Sequence, residues 1–278
     1  MFRPMTAPIL TDDKALARNR HRAMRAPVLF LHDLVADEVK DRLEEVNRTF
    51  TDIVVITAFP EVWQVVMPQA RIVAPSEVLG LEAGSADLVI HCLALHWAND
   101  PLGQMIQAAR ALRPDGLFIA AMMGGQTLSE LRASLAEAES EVSGGISPRV
   151  LPMGEIRDLG GLIQRAGLAL PVADSLKQNV SYRDLFHLMQ DLRAMGEGNA
   201  LHHRLRRFTS RAVFLRAAGL YGEHFPDSDG RIRATFEVVF LTGWKPHDSQ
   251  QKPLRPGSAS ARLAEALGVK EGDLSQAG

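Results

Sequence analysis

Residues 87–122 read DLVIHCLALHWANDPLGQMIQAARALRPDGLFIAAM, and this stretch decides the fold. Asp87-Leu88-Val89-Ile90-His91 is a short, largely apolar run, the pattern of a strand covered on both faces. Asn99-Asp100-Pro101 then opens a helix over Leu102–Leu112. Asp100 is a good N-cap, and Pro101 takes the first helical position, where its missing N–H costs nothing. Arg113-Pro114-Asp115-Gly116 forms a turn into a second apolar strand, Leu117–Met122. Strand, helix and strand at this spacing make a βαβ unit and so a parallel pair.

Working outward, the same alternation continues. Upstream, Ile53-Val54-Val55-Ile56 is a β-branched strand and Arg71-Ile72-Val73-Ala74 a weaker one. Downstream, Gln126–Val142 places Leu128, Leu131, Leu135 and Ala138 on one helical face, with Gly144-Gly145 as its stop. A helix over Glu155–Ala166, a strand over Val172–Val180, helices over Arg183–Met195 and Thr209–Phe225, and a strand over Thr235–Thr242 follow. The two last strands would form a hairpin-like pair at one end of the sheet.

The N-terminus is expected to be helical over residues 11–47. Thr11 would be its N-cap, Asp12 and Asp13 would suit the helix dipole, and Glu44–Arg48 would pair at i, i+4. After Gly243 the chain is rich in Pro, Gln, Ser and Gly, reading as an extended arm with a short helix at Ala259–Leu267. The expected division is a helical lead-in over 1–50, an α/β domain over 51–244 and the arm over 245–278.

With 278 residues the chain can bury a full core without a metal or disulfide staple. Lysines and arginines number 31 against 33 acids, which argues against a dedicated nucleic-acid binder. The lone Cys92 excludes a disulfide framework and suits a reducing compartment. No apolar run reaches the ~18 residues of a membrane span. The arginines at 18, 20, 22 and 25 are not followed by an apolar signal core, and Asp12 and Asp13 do not suit a transit peptide. The cytoplasm is the expected location.

Two segments carry a family likeness. Asp87-Leu88-Val89 leading to Leu93–Asp100, with Leu112–Ile119, resembles the fourth and fifth strands of class I S-adenosylmethionine-dependent methyltransferases. The stretches Gly124–Arg132, Gly144–Arg149, Met189–Glu197 and Leu241–His247 are similar to a narrower group. That group is the methyltransferase-like assembly factors of respiratory complex I, close to the malonyl-carrier-protein methyltransferases. The resemblance implies a Rossmann-like α/β fold and S-adenosylmethionine as cofactor. It also implies a part in maturing a complex I subunit, including hydroxylation of an arginine. By position the cofactor would lie against Thr57, Phe59, Glu77 and Leu93.

Read residue by residue, the cofactor motif departs from the family. Its first strand should lead into a G-x-G-x-G turn, where glycines let the backbone approach the ligand. Here those positions hold Thr57, Phe59 and Glu61, and the preceding acid position holds Val55. Only 31 residues (57–87) separate the first strand from the one at Leu88. That is room for about one βαβ unit of ~30 residues. The expectation is that the strand offering an acid to the ribose has been deleted with its helix. Pro75 stands where the adenine loop Ala74–Leu79 would carry its acid, and proline offers no such contact. These departures predict weak S-adenosylmethionine binding or none.

His96 and Trp97 follow a strand's carboxyl end, where open α/β sheets bind ligands, so a substrate-facing role is expected there. A tryptophan that only packs its loop is the bland alternative. His91, His96 and Asp100 have the residue types of a two-histidine, one-carboxylate iron set, but a strand histidine and a helix cap explain them better, so no metal is expected. Arg204, Arg206 and Arg207 lead a segment free of acids from Leu201 to Leu220. They suit an acidic protein partner or an anionic membrane surface, or simply a solvated basic face. No residue stands out as catalytic. Two functions follow: a modifying enzyme acting on a complex I subunit, or a non-catalytic pseudo-methyltransferase serving as an assembly or chaperone module.

Overall fold

The computed structural model describes residues 9–250. A six-stranded sheet runs in the order β2-β1-β3-β4-β6-β5, where β1 is Ile53–Ile56, β2 Arg71–Val73, β3 Ala86–Cys92, β4 Leu112–Met123, β5 Ala169–Tyr182 and β6 Ile232–Trp244. The first four are parallel, and β6 pairs antiparallel with both β4 and β5. This is the Rossmann-like α/β sheet that the sequence predicts, with the antiparallel strand pair at its end.

The eight helices of the described residues are α1 (Asp13–Ala23), α2 (Phe30–Val46), α3 (Pro60–Val66), α4 (Pro101–Ala111), α5 (Ser129–Ser143), α6 (Ile156–Arg165), α7 (Leu185–Ala194) and α8 (Arg211–His224). Strand periodicity decides which helix covers which face. Val55, Leu88, Ile90 and Ile119 point to one side, where α2, α3, α5, α7 and α8 supply Val35, Trp63, Leu131, Leu188 and Leu220. Val54, Ile56, Val89 and Phe118 point to the other, against Met105 of α4 and Ile163 of α6. Both faces of the strands are buried, which is why they read as unbroken apolar runs rather than alternating ones.

Several expectations need correction. The single N-terminal helix is two, α1 and α2, with a break around Pro27. Asp12, not Thr11, caps α1 by accepting from Ala15 N–H at 3.0 Å, while Thr11 bridges to Leu201. Arg48 pairs with Asp115 at 2.9 Å instead of Glu44, across a gap of 67 residues that no local rule detects. The turn at Arg113–Gly116 lies inside β4, as an irregularity between the pairs Ala86↔Leu112 and Leu88↔Leu117. The expected helix at 259–267 lies outside the described residues.

The strand next to β1 is also kept. β2 pairs with it in parallel, Val54 opposite Arg71, and forms the edge of the sheet. In the doubly wound order 3-2-1-4-5-6 the neighbour of the first strand is the second, so the strand missing from the described residues is the outer one. The strand beside β1, which the spacing had counted as deleted, is therefore present as β2, and Ala74 and Pro75 follow it.

Candidate functional site

The carboxyl ends of β1 and β3 meet the crossover of the sheet, where this architecture places its ligands. On the β1 side Thr57 is buried, and its hydroxyl accepts from Phe59 N–H at 3.2 Å. Pro60 then starts α3. Phe59 does not open a channel as a glycine would. Its ring is 2% exposed and packs edge-on against His32 of α2, with centroids 5.0 Å apart. On the β3 side Leu93 takes a left-handed backbone, φ 44°, with its side chain turned into the core. Held non-glycine residues of this kind are strained, and they gather at sites.

Helix α7 delivers the central group. It ends in a Schellman turn: Gly196 N–H bonds Arg193 C=O and Glu197 N–H bonds Leu192 C=O. Gly196 has φ 78°, and a Cβ there would lie 3.2 Å from Arg20 and 3.3 Å from Phe59, so only glycine fits the close approach. The turn aims Glu197 at the loop after β3. Trp97 Nε1–H donates to Glu197 Oε2 at 2.6 Å, and His96 Nε2 lies 3.3 Å from the same oxygen. Met123 N–H approaches His96 Nδ1 at 3.5 Å, which assigns the proton to Nε2 and makes it the donor to Glu197.

Charges here are set by burial and by one another. Burial pushes Glu197 up, but His96, the positive field of Arg20 and the Trp97 donor outweigh it, so its carboxyl sits below the usual range. Burial lowers the Arg20 guanidinium, and the Glu197 charge partly restores it. Arg20 Nη2 is buried with no hydrogen-bond partner among the described residues. Burial drives His32 down to about 4. His91 is likewise pushed by burial to about 4, with Nε2 2.9 Å from Gln104 Oε1. Burial pushes the Cys92 thiol up to about 12, so it is an inert core group rather than a nucleophile.

Several cavities flank the cluster, among them one of about 670 Å³ against His96, Asn99, Met122 and Leu201 and two smaller ones. One, of about 230 Å³, lies against Arg20, Ser76, Glu77, Asn99 and Gln104. Ligand pockets for drug-sized molecules run from about 300 Å³ upward. The second, of about 220 Å³, is mainly apolar and reaches Trp97 and Glu197 from the side of α5 and α7.

The expected residues separate into three places. His96 and Trp97 meet on Glu197, which the sequence reading missed; the Gly196 stop after an amphipathic helix was the only local signal. Thr57, Phe59 and Leu93 lie nearby but offer buried side chains, and Glu77 is exposed, with its carbonyl accepting the Gln107 amide at 2.9 Å. Arg204 and Arg206 both turn to Asp12, at 2.9 and 3.4 Å, which makes Arg204 a clasp on the start of α1, while Arg207 is exposed. His91 is held by Gln104, and Asp100 caps α4 through Gly103 N–H at 2.7 Å. Among the described residues no group of three His, Cys, Asp or Glu side chains is placed to hold a metal. None of the described helices is long and apolar enough to cross a membrane.

Comparison with known proteins adds the following. Residues 43–120 match the methyltransferase domain model. The chain is 40% identical over 199 residues to the mitochondrial arginine-hydroxylase NDUFAF5 of Danio rerio, covering 72% of this chain and 62% of that protein. It is likewise 40% identical over 199 residues to its Homo sapiens counterpart, covering 72% and 57%. The malonyl-[acyl-carrier protein] O-methyltransferase of Laribacter hongkongensis is 34% identical over 188 residues, covering 68% and 61%. Among solved structures, the Haemonchus contortus phosphoethanolamine N-methyltransferase 2 complex with S-adenosyl-L-methionine aligns at 14% identity and a TM-score of 0.40, covering 78% of this chain and 53% of that one. The chain spans between 44% and 64% of the length of the arginine-hydroxylases it matches.

Proposed function

We propose that this chain, which resembles class I methyltransferases over residues 43–120 and the NDUFAF5 arginine-hydroxylases over most of its length, matures or helps assemble respiratory complex I by acting on a protein subunit. The observation that carries the reading is the buried His96–Glu197–Trp97 cluster at the carboxyl edge of the sheet. An ionised carboxylate held by two donors beside an apolar cavity is the arrangement of a recognition site, not of a packing core.

S-adenosylmethionine, the cofactor the family implies, does not fit the residues present. Side chains occupy the three glycine positions, Phe59 packs on His32 where the turn should stand open, and Pro75 replaces the acid. This misfit favours the second reading, a pseudo-methyltransferase that uses the frame as an assembly or chaperone module. Both readings share the client and differ in whether it leaves modified.

The same proposal includes the lead-in over 1–50, the domain over 51–244 and the arm over 245–278. It includes a cytoplasmic location, the named relatives being labelled mitochondrial, and a contact of Arg206 and Arg207 with an acidic partner or an anionic membrane surface. Deleting the gene is expected to lower assembled complex I, read by native gel and NADH oxidation. Restoration by the intact chain completes the test, and normal complex I in the deletion strain would refute the role.

A further inference from the structure

Arg20 carries a guanidinium into the fold without an acceptor for all of it. The arginine sits on α1, whose start is held by Asn99 and Arg204. Gly196 leaves room for its stem, since a Cβ there would lie 3.2 Å from Arg20 Cγ. Nη2 is buried and has no hydrogen-bond partner among the described residues. A buried, charged N–H without an acceptor is costly, and an oxyanion placed on it would relieve that cost. The same side chain lines the cavity of about 230 Å³, with Gln104 on another wall. Gln104 is buried, and its Oε1 faces His91 Nε2 at 2.9 Å, so what it can offer a ligand is its amide N–H groups. Both groups are donors, and the complementary ligand is an acceptor.

We propose that this cavity binds a small organic acid with one negative charge. Its carboxylate accepts from Arg20 Nη2, and its short apolar chain lies against Leu16 and Ala98. A carboxylate matches the guanidinium in shape and forms the stronger, charge-assisted bond. The volume is below the roughly 300 Å³ at which pockets for drug-sized ligands begin, which suits an acid of a few carbons and not a nucleoside.

The acids around the cavity set the charge of the ligand. Asp13, Glu77 and Asp100 line it but are exposed, so water screens them. Asp100 is also engaged at the start of α4, where it accepts from Gly103 N–H at 2.7 Å. One carboxylate on Arg20 is tolerated beside them, whereas a dianion such as phosphate meets their summed repulsion. The site uses neither a glycine turn nor a ribose acid, and the inference stands apart from the complex I role.

The test titrates the full chain with butyrate and with its neutral isostere, butyramide, followed by NMR shifts of the Trp97 indole and the Gln104 amide. Butyrate is expected to bind saturably and butyramide at least tenfold more weakly. Arg20→Met, which keeps an apolar stem and removes the donor, is expected to erase that preference. Ala98→Val narrows the cavity without touching Arg20; it should weaken butyrate at least tenfold and serves if the methionine variant does not fold. Equal binding of the two compounds, no saturable shift with the intact chain, or butyrate binding unchanged in Arg20→Met overturns the proposal. Tighter binding of inorganic phosphate than of butyrate would also overturn it. So would low-micromolar S-adenosylmethionine binding that Arg20→Met abolishes, since the arginine would then hold that cofactor.

Discussion

Glu197 gathers its partners from about a hundred residues away, and that separation explains what could be read at the residue scale. His96 and Trp97 were legible because they follow a strand end. Their acceptor was not, because nothing local to Met195-Gly196-Glu197 says which loop it will face. Trp97→Phe removes the donor at 2.6 Å but keeps the ring, so unfolding by urea should show a loss of about 1.5–3 kcal/mol, typical of a hydrogen bond to a charged group. An unchanged midpoint would mean that the bond contributes nothing. The buried histidines give a pH dependence with a definite sign. His32 and His91 both fall from 6.5 to about 4 on folding, so the unfolded chain binds the extra protons. Their neutral forms support the fold fully above 6.5, and that support is lost as pH falls toward 4. The slope should approach about 1.4 kcal/mol per pH unit for each histidine. Urea unfolding measured at steps from pH 7 to 4.5 checks it, and a flat profile would contradict the buried, neutral assignment.

At the scale of elements, α4 and the strands on either side of it were legible from local signals, Asp100, Pro101 and the apolar runs, apart from Arg113–Gly116, which reads as a turn but lies inside β4. α1 was not, because its position is fixed by distant groups. Asn99 Oδ1 accepts from both Leu10 N–H and Thr11 N–H at 2.9 Å, while Arg204 and Arg206 hold the Asp12 cap. The basic segment that reads as a docking face thus partly serves the molecule's own first helix. Asn99→Ala leaves two backbone donors without acceptors, with an expected loss of about 1–3 kcal/mol. Hydrogen exchange should quicken in Asp13–Ala23 before it does in Pro101–Ala111; uniform quickening would show that α1 is not separately clasped.

For the whole molecule, the periodicity of the strands and helices was sufficient to predict a Rossmann-like sheet ending in an antiparallel pair. It could not say which strand had been lost, because spacing counts strands and only pairing orders them. The register of β2 on β1 places the loss at the outer edge. At the centre Thr57 and Phe59 fill the turn, Pro75 follows β2, and α1 brings Arg20 to the cavity. On the proposed reading, the frame of a methyltransferase persists around a cofactor place that no longer suits its cofactor. Calorimetric titration of the full chain with S-adenosylmethionine and S-adenosylhomocysteine tests this most directly. The account predicts no saturable binding in the low micromolar range. A Kd of about 1 µM or tighter, equivalent to roughly −8 kcal/mol, would contradict it.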